Sequence, residues 1–161
     1  MQHMNKKLLT RIGIGVLICL VVGFLGAIAT QSSVNDWYTT LNKPSFNPPN
    51  WLFGPVWTLL YILMGIAFGI VWAKGTYHSW VKTAMYHFGF QLILNLTWSV
   101  VFFGLQAPFY ALLVIAALLI LIVLTIKWFK IVKPIAAYLL IPYLLWVLFA
   151  SVLNFEIWRL N

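Results

Sequence analysis

Residues 83–126 read TAMYHFGFQLILNLTWSVVFFGLQAPFYALLVIAALLILIVLTI, 44 consecutive positions without Asp, Glu, Lys or Arg. A bilayer core is roughly 30 Å thick and an α-helix rises about 1.5 Å per residue, so about 20 apolar residues cross it. The stretch is too long for one crossing and right for two. It is punctuated at Gly104-Leu105-Gln106-Ala107-Pro108, where Gly and Pro end regular structure. Spans are therefore predicted over 83–103 and 108–126.

The same reading extends in both directions. No charge lies between Ile12 and Asn35, which gives a first span over 12–30. None lies between Pro44 and Ala73, and the proline-rich start of that stretch sets the second span at about 51–73. Residues 134–155 form the fifth. Lipid has no water to satisfy backbone groups, so every span is expected to be helical. The period-2 pattern of a membrane β-barrel is missing. The expected fold is all-α: one domain over residues 1–161, a bundle of five transmembrane helices. Residues 31–50 form its long first loop. Lys6, Lys7 and Arg11, an apolar stretch and Ala27-Ile28-Ala29 imitate a secretory leader. The apolar stretch exceeds the roughly 7–15 residues of a leader core, so it is read as a retained span.

Composition agrees. Apolar residues make up 63% of the chain and charged ones 7%, against about 25% charge in an ordinary soluble domain. Lipid must cover much of such a surface. The net charge of +8 sits in short clusters between apolar runs. That arrangement suits anionic lipid headgroups and argues against nucleic acid. Alternating the spans puts Lys6, Lys7, Arg11, Lys74, Lys82, Lys127, Lys130 and Lys133 on one side, and Lys43 and Arg159 on the other. This bias predicts a cytoplasmic N-terminus and an outer C-terminus. Loop 31–50 then faces outward, and the short N-terminus suits a bacterial cell membrane. Cys19 is the sole cysteine, which excludes an internal disulfide or a zinc site of several thiolates.

The nine tryptophans fall into two classes. Trp72, Trp80 and Trp128 are expected at the cytoplasmic interface, and Trp37, Trp51 and Trp158 at the outer one. An amphipathic ring suits the headgroup level. Trp57, Trp98 and Trp146 lie inside spans, roughly 9, 9 and 15 Å below the outer helix ends at about 1.5 Å per residue. All three share the outer half, and an indole N–H there needs a partner. Gln91, Asn95 and Trp98 share one face of the third span, either as interhelical glue or as site residues. Trp146, Ala150 and Leu153 share a face of the fifth, where the small Ala150 leaves room beside a flat ligand. Pro142 removes one helical hydrogen bond and frees the Tyr138 carbonyl. In the first loop, Asp36 is placed to cap a short helix over Trp37–Leu41. Pro44, Pro48 and Pro49 stiffen the remainder of the loop. An aromatic, rigid loop suits a lid over a pocket. Gly65-x-x-x-Gly69 lets helices approach closely, within one chain or between two.

The segment WYTTLNKPSFNPPNWLFGPVWTLLYILMGIA (37–67) resembles the signature of the translocator protein family. This is the tryptophan-rich sensory protein family, whose animal members were called peripheral benzodiazepine receptors. LILNLTWSVVFFG and LLIPYLLWVLFASVLN are similar to its third- and fifth-helix motifs. The resemblance implies a five-helix bundle, usually a homodimer, that binds porphyrins such as protoporphyrin IX and other apolar ring compounds. It implies a pocket under the first loop, lined by Tyr38, Pro48, Trp57, Asn95, Trp98, Trp146 and Ala150. Phe155 stands where animal members carry the central Tyr of a proposed cholesterol motif, so sterol binding is not carried over.

The chemistry that is missing narrows the function. No span interior holds Asp, Glu, Lys or Arg, which argues against ion-coupled transport. His87 is expected near the cytoplasmic side, remote from an outer pocket, and His3 and His78 at the cytoplasmic surface. No hydrolytic triad or carboxylate pair is present. No cofactor is expected to be required, and no metal ligands are assigned. A porphyrin is expected to bind by stacking and burial, with Lys43 pairing to a carboxylate at the mouth. The leading expectation is a tetrapyrrole-binding sensor, or a handler of porphyrin under stress. A light-dependent porphyrin-degrading enzyme using Trp57 and Trp146 is one alternative. Passage of porphyrin or lipid-like molecules across the membrane is another.

Overall fold

The computed structural model describes residues 2–161, with side chains from Lys6 onward. Its helices are α1 (Gln2–Val34), α2 (Trp37–Thr40), α3 (Asn50–Trp72), α4 (Ser79–Ser99), α5 (Pro108–Val132), α6 (Pro134–Leu139) and α7 (Ile141–Leu160). A π-helical stretch, Val100–Gly104, continues α4. Five segments are long and apolar enough to cross a membrane: Lys6–Val34, Asn50–Trp72, Ser79–Gly104, Pro108–Val132 and Pro134–Leu160. No strand occurs among the described residues. The long uncharged stretch divides at the predicted Gly/Pro punctuation.

Several helices run past the predicted ends. α1 continues to Val34 because its polar residues satisfy themselves on the helix. Thr30 Oγ1 donates to the Gly26 carbonyl at 2.9 Å, and Ser32 Oγ to that of Ala29 at 2.9 Å. Hydroxyls bonded in this way need no water and do not interrupt the helix. α2 occupies the expected place, but Asp36 makes no side-chain cap. Its backbone lies at φ −112°, ψ −87°, away from the extended form a capping residue takes. Instead its carbonyl accepts Thr39 Oγ1 at 2.6 Å. The fifth span breaks at Leu140 between α6 and α7, just before Pro142. A proline cannot donate into the preceding turn, and it fits the first turn of a new helix.

The Gly65/Gly69 motif is an intramolecular contact between α1 and α3. A Cβ on Gly65 would strike the Val16 backbone, and one on Gly69 that of Ile12. A Cβ on Gly15 would meet the Gly65 carbonyl. The two backbones touch because none of the three glycines has a side chain. One turn further along α3, Arg11 Nη1 donates to the Trp72 carbonyl at 2.5 Å. Its guanidinium lies 4.8 Å from the Trp72 ring centroid, a cation–π contact. α1 and α3 are thus fused from Gly15 and Gly65 to Arg11 and Trp72. Phe88 stacks between Phe68 at 4.9 Å and Phe129 at 5.7 Å, joining α3, α4 and α5. His87 stays on the α4 surface, with Nδ1 at 2.8 Å from the Thr83 carbonyl and its ring 6.0 Å from Trp128.

Candidate tryptophan-walled chamber

Where α1 and α3 stop touching, the bundle encloses a cavity of about 480 Å³, within the range of small-molecule sites. Trp57 forms its centre. The ring stacks on Tyr61 at 5.7 Å and lies 6.2 Å from Trp98, 6.4 Å from Tyr143 and 6.5 Å from Trp146. Indoles from α3, α4 and α7 therefore meet at one level, as the depth count predicts. Five of the eight residues singled out in the sequence line the chamber: Tyr38, Trp57, Trp98, Trp146 and Ala150.

The roof is tied down. Tyr38 is 2% exposed and packs against Phe103 at 5.6 Å. Its hydroxyl donates to Asn47 Oδ1 at 2.7 Å. Burial pushes the Tyr38 phenol up to about 12. Asn42 and Asn161 clasp reciprocally: Asn42 N–H donates to Asn161 Oδ1 at 3.0 Å, and Asn161 Nδ2 to the Asn42 carbonyl at 2.9 Å. Trp37, expected in the interfacial belt, sets its edge on Phe102 at 5.8 Å and so packs against the bundle.

Three expected residues do not line the chamber. Lys43 folds back into the loop, where Nζ donates to the carbonyls of Tyr38 at 2.8 Å and Leu41 at 3.1 Å. A loop short of helical bonds has carbonyls to satisfy, and the ammonium meets two of them. It therefore does not stand free at the mouth. Pro48 is half-buried in the first loop and contributes its carbonyl to Asn47 Nδ2 at 3.2 Å. Asn95 is interhelical glue: its Oδ1 accepts from Tyr61 Oη at 2.5 Å, and its Nδ2 donates to Tyr143 Oη at 2.9 Å. Tyr143 Oη donates on to Gln91 Oε1 at 2.7 Å. This chain joins α3, α4 and α7 beneath Trp57 and ends on Gln91 Nε2, which is buried without a partner.

The indole N–H groups differ in the same way. Trp98 Nε1 donates to Asn154 Oδ1 at 3.0 Å, and Asn154 Nδ2 to the Pro108 carbonyl at 2.8 Å. Trp146 Nε1 is buried and has no protein partner.

Sequence reasoning missed one entire wall. Leu20, Gly23, Phe24, Ala27, Thr30 and Gln31 of α1 all line the chamber. The spacing of Gly23, Gly26, Ala27 and Thr30 marks one small-residue helix face and was the available signal. Phe102 and Phe103 were missed as well. Both line the chamber because the π-helical turn brings neighbouring residues to one side. Ser33 Oγ steadies that turn by donating to the Phe103 carbonyl at 2.5 Å. Among the described residues no cluster of three His, Cys, Asp or Glu is placed to hold a metal.

Five apolar helices around a tryptophan-walled chamber define a multi-pass membrane protein with an internal apolar cavity under a stiff loop. The profile of the TspO/MBR family matches residues 15–159. The chain is 49% identical over 158 residues to the tryptophan-rich protein TspO of Chlorobaculum tepidum, covering 98% of this chain and 99% of that one. It is 49% identical over 147 residues to the protein of the same name from Archaeoglobus fulgidus, covering 91% and 94%. It is 37% identical over 142 residues to the human translocator protein, covering 86% and 82%. The chain belongs to the TspO/MBR family.

Proposed function

We propose that this protein binds a porphyrin or related tetrapyrrole in the chamber and acts as a sensor or handler of it under stress. One observation carries the reading: Trp57, Trp98 and Trp146 converge from three helices on one cavity. Flat, electron-rich walls suit a flat conjugated ring, and stacking needs neither an ion pair nor a metal ligand. The name of one relative, a tryptophan-rich sensory protein from Cereibacter sphaeroides, supports sensing, and that of the human translocator protein supports handling. The reading takes the protein as a homodimer in a bacterial cell membrane. Its N-terminus faces the cytoplasm, as the distribution of Lys and Arg supports.

The test is titration of protoporphyrin IX into detergent-solubilised protein. Tryptophan fluorescence is expected to fall saturably, and Trp57→Ala with Trp146→Ala to remove the response. Saturable quenching that survives in the folded double variant would move the site elsewhere.

Light-dependent porphyrin breakdown is a second reading, favoured by the position of Trp57 within 6.5 Å of four aromatic rings. An excited porphyrin beside that cluster exchanges an electron with an indole, and dissolved dioxygen is the terminal oxidant that opens the macrocycle and is itself reduced, so no acid–base residue is required. Illumination is then expected to bleach porphyrin absorbance faster with wild-type protein than with Trp57→Phe. Equal rates would leave binding alone.

A further inference from the structure

Six chamber-lining residues are exposed, and all six lie on one seam: Phe24, Ala27 and Gln31 of α1, and Asn50, Gly54 and Thr58 of α3. Every other lining residue is buried or half-buried. Toward the cytoplasm the two helices are fused through Gly15, Gly65 and Gly69. The contact continues to Gly23, where a Cβ would strike the Tyr61 ring, and beyond it the exposed lining residues place the cavity at the molecular surface between the two helices. A Cβ on Gly54 would meet nothing within 4 Å, so the gap is open there. Overhead, the lid is fastened by the Asn42–Asn161 clasp and by Lys43.

We infer that the chamber opens sideways into the bilayer between α1 and α3, in the leaflet on the lid side. A planar amphiphile slides through that seam, ring first, and keeps its polar end at Gln31 and Asn50. The inference rests on the tetrapyrrole reading and adds its route and its orientation.

The chemistry of the seam grades along its length. Thr58 Oγ1 is spent on the Gly54 carbonyl at 2.8 Å, and Thr30 Oγ1 on that of Gly26 at 2.9 Å. Neither hydroxyl proton is therefore free for a ligand. Gln31 lies one turn from the end of α1, and Asn50 begins α3. Their side-chain amides make no hydrogen bond to the described residues, and both are exposed at the lid-side rim of the seam. Amide N–H groups at that level donate to a carboxylate without the cost of burying a cation. Lys43, spent on two carbonyls, leaves this task to them.

Stopped-flow quenching by protoporphyrin IX in lipid nanodiscs tests the route. Gly54→Phe together with Ala27→Phe puts bulk into the gap rather than into packed core. Association and dissociation are both expected to slow about tenfold, as for a narrowed passage. Asn42→Ala, which loosens the lid, is expected to leave both rates unchanged. Unchanged rates in the blocked variant, or rates set by the lid variant, would overturn the portal.

The orientation is tested by comparing the free diacid with its dimethyl ester. Gln31→Leu with Asn50→Leu is expected to weaken the diacid about tenfold through lost charge-assisted hydrogen bonds, and to leave the ester unaffected. Equal losses for both would place the carboxylates elsewhere and overturn the orientation. Wild-type protein that bound neither compound would sink the tetrapyrrole reading along with the portal.

Discussion

The indole of Trp146 stands nearly perpendicular to that of Trp57, with ring centroids 6.5 Å apart and planes at 87°. The two residues belong to α7 and α3, separated by most of the chain. Perpendicular walls make a corner, and a flat ligand seated there stacks on one ring and takes the edge of the other.

Each ring is therefore expected to contribute separately. Trp57→Phe and Trp146→Phe keep an aromatic ring and lose indole area. Each is expected to weaken protoporphyrin binding by about 1 kcal/mol, roughly fivefold. Fluorescence titration of the single variants measures this. Trp158→Phe, at the exposed end of α7, is expected to change nothing.

The seam between α1 and α3 depends on absent side chains. Gly65→Val forces a branched side chain onto the Val16 backbone and is expected to cost about 3 kcal/mol or to prevent folding. Gly89 sits inside α4 with open space around its Cβ position. Gly89→Ala is expected to stabilise by about 0.5–1 kcal/mol through helix propensity. Thermal unfolding in detergent is expected to shift in opposite directions for the two.

Asn95 bonds two buried phenols, so Asn95→Leu orphans Tyr61 Oη and leaves Tyr143 Oη with only its bond to Gln91 Oε1. A loss of about 2 kcal/mol is expected, and less for Tyr61→Phe, which removes one member and leaves the Asn95–Tyr143 bond. The same unfolding assay ranks them. If Asn95→Leu proved neutral, the network would not be holding the helices together.

Tyr38 supplies a pH-dependent prediction for the lid. Burial raises its phenol from the ordinary value of 10.0 to about 12, so the folded lid favours the neutral form. The resulting stability is complete below pH 10 and is lost as pH rises toward 12, because the unfolded phenol ionises first. Ionisation also removes the proton that Tyr38 donates to Asn47. Proteolysis within residues 41–49 is expected to accelerate over that pH range in wild-type protein. In Tyr38→Phe the rate is expected to be high already and flat with pH.

Lys43 and Asn95 show where residue-level reading stops. Both were polar residues in an apolar setting, which marks them as partnered without naming the partner. For Lys43 the partners are carbonyls of Tyr38 and Leu41 within its own loop. For Asn95 they are phenols 34 and 48 positions away. Either residue had the chemistry to meet a ligand, and only the rotation of each side chain within the bundle assigns it. The tryptophans were easier. Their depth follows from helix rise alone, and three large rings at one level of a small bundle have little room to avoid one another.

The five spans, the break at Gly104–Pro108 and the level of the indoles were determined by the sequence by itself. Transfer into lipid is summed residue by residue along the chain, and a helix converts position into depth at a constant rise. The tertiary structure alone decided that Gly65 and Gly69 serve α1 and not a second copy. It also decided that α1 walls the chamber, that a π-turn presents Phe102 and Phe103 together, and that the cavity opens beside Gly54. These depend on how each helix is turned about its axis. That rotation is fixed by contacts between residues far apart in sequence, because hydropathy in lipid is nearly the same for every face of a span.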